Sequence, residues 1–224
     1  MSLVKRLRQW AHGHTRQRRY SPVGQTFHWT MAALVVFQLW WGWRMGRLPV
    51  GGEKLEAYQL HSQVGAVLLV LILMRGAWRL MVPGPKNDAD KPGWQRTAAH
   101  ATHYAFYAIL LILPLTGWAM WSAMAAEQPI ELAGVVTWPL LPLHDLPSEI
   151  RWRIMDVGRT VHLGLAILLI FLILGHVGAA LKHHFWNRDD ATAGMVPFLD
   201  PPENPREPSY TPPDQPSPQG PVAG

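Results

Sequence analysis

Four apolar blocks, each about as long as a bilayer is thick, leave this chain few ways to fold. They run roughly over Phe27–Met45, His61–Val82, Ala98–Met124 and Val157–Leu181. A helix crosses a membrane with about 20 mainly apolar residues, and every block reaches that length. The expected architecture is therefore all-α: an integral membrane four-helix bundle.

Composition narrows the class further. Twelve tryptophans fit a membrane protein, because indoles favour its interfaces. The absence of cysteine excludes structural disulfides, thiolate-held iron–sulfur clusters and covalent haem attachment. The basic residues flank the apolar blocks instead of forming one stripe, which speaks for membrane topology and against nucleic acid. Residues 1–26 are basic and polar, with no apolar core of a cleavable signal peptide, so the first span is expected to remain as an anchor. Residues 191–224, Pro-rich from Asp200 on, are expected to form a disordered tail.

Lys and Arg set the expected orientation. With the N-terminus in the cytoplasm, that side gathers residues such as Arg8, Arg19, Arg79, Lys86, Lys91, Lys182 and Arg206. The opposite side has only Arg44, Arg47, Lys54, Arg151, Arg153 and Arg159. Four spans return the C-terminus to the cytoplasm. The Pro-rich loop over 125–156 is then external, and its Ser148 is expected to cap a short helix leading into the last span.

Histidines inside such segments need an explanation, since ionisable groups in a bilayer are costly and usually face the bundle interior. His162 and His176 are fourteen residues apart, nearly four whole turns, so they share one stripe about 21 Å apart along it. His28 opens the first span at the cytoplasmic face and His61 opens the second at the external face. Two depths thus receive two histidines each, from different helices. That is the pattern of two bis-imidazole haem sites, His28 with His176 and His61 with His162, built from inward-facing side chains of a bundle.

Other residues bear on these sites. Arg75 follows His61 by fourteen residues and shares its face near the cytoplasmic level, where a haem propionate is a suitable bidentate partner; plain snorkelling is its alternative and fits Arg79 better. His100 and His103 open the third span as further ligands, propionate contacts or interface residues, the last two being favoured. His12, His14 and His144 read as solvated side chains. Gly65, Gly117 and Gly164 allow close approach of a macrocycle or a helix, and Pro114 is expected to kink the third span.

RRYSPVGQTFHW at 18–29, LHSQVGAVLLVLILMRGAWRL at 60–80, HATHYAFYAILLILPLTGW at 100–118 and VHLGLAILLIFLILGHVGAALKHHFWNRDD at 161–190 resemble the bacterial cytochrome b561 family. The resemblance covers all four spans, making 27–190 the cytochrome domain. It implies two haems b in the bacterial inner membrane, with iron ligands at His28, His61, His162 and His176. It also implies a quinone-linked oxidoreductase, and its superoxide oxidase branch implies electron transfer from external superoxide to ubiquinone. The KHHFW segment matches a stretch beside the cytoplasmic haem, which makes His183 a propionate or quinone contact and a candidate proton relay. The basic N-terminal extension and the Pro-rich tail depart from the family pattern.

Iron with two axial imidazoles has no open site and is suited to single-electron transfer. The external cations then offer superoxide electrostatic steering, with ordinary flanking charge as the plainer explanation. A second reading makes the chain a cytochrome subunit relaying electrons between the quinone pool and a periplasmic dehydrogenase, hydrogenase or cytochrome c. A third, a non-redox anchor, leaves the depth-matched histidines unexplained.

Overall fold

A computed structural model describes residues 2–16, 19–82, 84, 93–124, 129–132, 134–187 and 194–196. Its helices are α1 (Leu3–Arg16), α2 (Pro22–Arg47), α3 (Gly52–Met81), α4 (Gly93–Met124) and α5 (Ser148–Lys182), the last continued by a π-helical turn over His183–Asn187. Two short antiparallel strands, β1 (Ile130–Leu132) and β2 (Val136–Trp138), pair Glu131 with Thr137 between α4 and α5. Lys86 and Lys91, and the tail from 197 onward, lie outside the described residues.

α2 starts where its sequence says a helix can start. Ser21 Oγ accepts the Gly24 N–H at 3.3 Å, and Pro22 takes a first position where a missing N–H costs nothing. The same hydroxyl accepts Trp78 Nε1 at 3.3 Å, tying the start of α2 to the end of α3. Helices α2 to α5 pack in sequence, each against the next, as antiparallel neighbours. Their common core is Met31, Val35, Leu68, Leu69, Ile72, Ile109 and Leu169. Outside that core, α5 alone exposes Val161, Leu163, Ile167, Leu168, Ile170, Phe171 and Leu174. So continuous an apolar exterior suits a lipid solvent.

Among the described residues three helices, α3, α4 and α5 with its π turn to Trp186, are long and apolar enough to cross a membrane. α2 has the length, 26 residues, but Thr26, His28, Gln38 and four tryptophans dilute its hydropathy. The helices also overrun the apolar blocks. α3 begins at Gly52, nine residues before His61, because its polar first turns carry Glu53, Lys54 and Glu56.

Other expectations change at the ends of the bundle. The basic N-terminal segment holds a helix, α1, whose Ala11 is buried and whose Arg8 Nε donates to the Met81 carbonyl at 3.0 Å at the end of α3. Ser148 caps no separate short helix: it is the first residue of α5, which runs unbroken for 35 residues after Pro147. Residues 194–196, inside the expected tail, return to α2. Gly194 O accepts from Tyr20 N at 3.0 Å and from the buried Gln25 Nε2 at 3.1 Å, and Met195 O accepts from Trp29 Nε1 at 3.0 Å. At the opposite end the hairpin loop is fastened to α4, since Trp118 Nε1 donates to Pro139 O at 2.8 Å and Leu141 N to Ser122 Oγ at 3.0 Å.

Candidate functional site

The bundle brings the four span histidines together as two pairs. His61 on α3 and His162 on α5 have ring centroids 6.0 Å apart, and His28 on α2 and His176 on α5 have theirs 6.2 Å apart. Leu169, 2% exposed, lies midway between His162 and His176 on α5, and the apolar core surrounds it. Two polar sites are thus separated by a dry layer.

Both separations suit one metal ion between two imidazoles. With metal–nitrogen bonds of about 2 Å, trans imidazole rings have centres about 6 Å apart. Among the described residues no group of three or more metal-ligating side chains occurs. A bare ion would want three or four such ligands, whereas a haem brings its own four nitrogens and asks the protein for two. A pair of histidines is what a haem requires.

The rings are set on glycines. A Cβ added at Gly42 would lie 3.4 Å from His61 Cε1, and one at Gly117 would lie 3.6 Å from His162 Cε1. Gly65 instead faces Gln38 Nε2, at 3.5 Å, and Gly164 has open space around it. Gln38 Nε2 donates to the His61 carbonyl at 2.8 Å, bracing α2 against the turn of α3 that carries the histidine. His61 Nδ1 and Gln38 Oε1 are buried with no hydrogen-bond partner among the described residues. His162 Nδ1, by contrast, meets Thr116 Oγ1 at 2.8 Å. Sequence reading singled out Gly117 but missed Gly42, Gln38 and Thr116.

Around the other pair the side chains are more polar. Arg75 donates to Gly24 O at 3.5 Å and is near enough to His28, His103 and His176 to interact electrostatically with all three. His103 Nδ1 contacts Ala99 O at 2.7 Å, and its ring centroid is 6.0 Å from that of His176, as close as His28 comes. His100 is exposed. Arg79 stacks over Tyr20 at 5.1 Å. His183, half-buried, stands at the start of the π turn two helical turns beyond His176.

Much of the basic rim near the His61–His162 end is engaged locally. Arg44 pairs with Glu53 at 3.7 Å, Arg47 stacks over Trp43 at 3.9 Å, and Lys54 donates to Leu48 O at 3.0 Å. Arg151 and Arg153, in the first turns of α5, differ. Arg151 Nε is buried without a hydrogen-bond partner among the described residues, and Arg153 lines a surface groove with Glu149, Trp152 and Asp156.

Known proteins supply the class of chemistry. The family model described as prokaryotic cytochrome b561 matches residues 19–198, which include all four histidines and the 194–196 return. Cytochrome b561 homolog 2 of Escherichia coli (strain K12) is 28% identical over 179 residues, 80% of this chain and 91% of that protein. Cytochrome b561 homolog 1 of the same strain is 27% identical over 185 residues, 80% of this chain and 97% of that protein. A probable superoxide oxidase CybB of Yersinia pestis is 24% identical over 185 residues, again 80% of this chain and 97% of that protein.

Proposed function

The chain belongs to the prokaryotic cytochrome b561 family, and from that premise we propose that it is a four-span di-haem b cytochrome of the bacterial inner membrane that carries electrons from external superoxide to ubiquinone. The observation that carries the reading is the pair of histidine pairs, at 6.0 and 6.2 Å, on either side of an apolar layer. His61 and His162 hold the external haem, and His28 and His176 the cytoplasmic one. α2, the first span in the chain, completes the four. Its indoles Trp40, Trp41 and Trp43 lie at the external interface, and both termini are cytoplasmic.

A haem held by two of these histidines would supply one-electron transfer. The remaining work belongs to the protein. Arg75 neutralises a propionate beside the cytoplasmic pair, and the charge-assisted contact fixes the macrocycle against α2. His183 binds the quinone and passes it protons from the cytoplasm. The balance is two superoxide ions, one ubiquinone and two protons, giving two dioxygen molecules and one ubiquinol.

Superoxide enters at the external rim, where Arg151 and Arg153 at the start of α5 attract it, together with the charge of the other external cations. Replacing both arginines by Gln should slow haem reduction by superoxide several-fold at low salt and leave the haem spectrum intact. The difference should shrink as salt rises, because charges are screened over about 8 Å at physiological ionic strength. Stopped-flow reduction at two ionic strengths measures both effects.

The test of the function itself is superoxide generated beside oxidised protein in detergent, with and without ubiquinone. The haem bands should reduce first, and ubiquinol should follow. If superoxide leaves the haems oxidised while a quinol or a co-purifying protein reduces them, the chain is instead the cytochrome subunit of a relay.

A further inference from the structure

The two histidines of the external pair are held in different ways. His61 Nδ1 is buried with no hydrogen-bond partner among the described residues, whereas His162 Nδ1 is 2.8 Å from Thr116 Oγ1. The same hydroxyl is 2.7 Å from the Leu113 carbonyl oxygen. A carbonyl can only accept, so that short contact commits the single hydroxyl proton to Leu113 O. Thr116 Oγ1 then has only lone pairs to offer His162, and the contact requires the proton on Nδ1. Nδ1 is therefore the protonated nitrogen, and Nε2 is left bare for iron.

The segment is built for this purpose at consecutive positions. Thr116 receives the N–H, and the neighbouring Gly117 packs on the Cε1 edge of the same ring, where a Cβ would be in ordinary van der Waals contact at 3.6 Å. Thr116 also lines, with Val161, a groove along α4 and α5. A partner on the far nitrogen of a ligating histidine fixes its tautomer and raises its basicity. A more basic ligand favours the ferric state.

We propose that Thr116 is a positioning residue for the external haem: its hydroxyl, anchored on Leu113 O, holds His162 as the Nδ1–H tautomer and lowers that haem's reduction potential relative to a site without it. The proposal rests on the reading of His162 as an iron ligand.

Spectroelectrochemical titration of the purified full-length protein tests it, with Thr116→Val, Thr116→Ala, Thr116→Ser and His162→Ala compared. Val and Ala should raise the midpoint of the external component, so that its oxidised-to-reduced ratio at a fixed potential falls about threefold or more. The cytoplasmic component should not move, and Ser should restore the wild-type value. Unchanged potentials in Val and Ala overturn the proposal, as does a Ser variant that shifts as far as Val, which would make the effect one of packing. If Val and Ala lose the external haem, its retention at wild-type potential in Ser supports the hydroxyl's role, and its loss in Ser refutes it. Should the external component survive His162→Ala, the ligand reading falls and the Thr116 proposal with it. A component deleted by His162→Ala and indifferent to Thr116→Val overturns the Thr116 proposal alone.

Discussion

His61→Ala should yield a protein with half the haem of the wild type, missing one spectral component and keeping the other. His162→Ala should delete that same component, because the two rings face each other at 6.0 Å. His28→Ala and His176→Ala should delete the other one, their rings being 6.2 Å apart. The loss at the mutated site should be nearly complete, since an iron left with one axial imidazole loses half its protein bonds. The Leu169 layer should keep the damage local, as the packed core contains none of the histidines. Difference spectra of the four purified variants decide the matter. His61→Ala and His28→Ala removing one and the same component would show that the pairs have been drawn wrongly. His103 gives the comparison a further edge: with its ring centroid 6.0 Å from that of His176, it is the residue to mutate next if His28→Ala keeps its full haem content.

Separating the two halves of the electron path should have an equally large effect. In His28→Ala, superoxide should still reduce the external haem within the same time as in the wild type, while ubiquinol formation should fall by about two orders of magnitude or more. The distance explains why: the two sites are about 21 Å apart along α5, too far for an electron to reach the quinone without the second carrier. His61→Ala should stop both processes. Quinone reduction that persists in His28→Ala at the wild-type rate would place the quinone at the external haem and remove His183 from its assigned role.

How much of this was legible in the sequence depends on which interactions are periodic. The histidine pairs were, because a fourteen-residue interval on a straight helix fixes both face and depth, and the helices bring together the pairs that this arithmetic suggests. The helix ends were less so. Hydropathy marks where a segment becomes apolar, whereas a helix continues for as long as its backbone bonds do, so α3 and α5 begin nine residues ahead of their blocks. α1 was hidden for a related reason: an apolar face built on residues such as Leu7 and Ala11, among Lys5, Arg6 and Arg8, has no apolar run.

Thr116 and Gln38 were illegible for a different reason. Nothing in the local pattern distinguishes a threonine that holds a histidine 46 residues away from one that merely bonds its own helix, and Thr116 does both. Gln38 is one of several polar residues on α2, and only the approach of α3 shows that it braces His61. The return of Gly194 and Met195 to Tyr20, Gln25 and Trp29 uses main-chain carbonyls, which carry no sequence signature.

The proposed function requires two haems, each held by one pair of histidines and by nothing covalent. Acid–acetone extraction followed by pyridine haemochrome quantification against protein mass measures this directly. Two haems b per chain, fully extractable, is the predicted result, in keeping with a sequence that has no cysteine. One haem per chain, or pigment that stays with the protein after extraction, would contradict it.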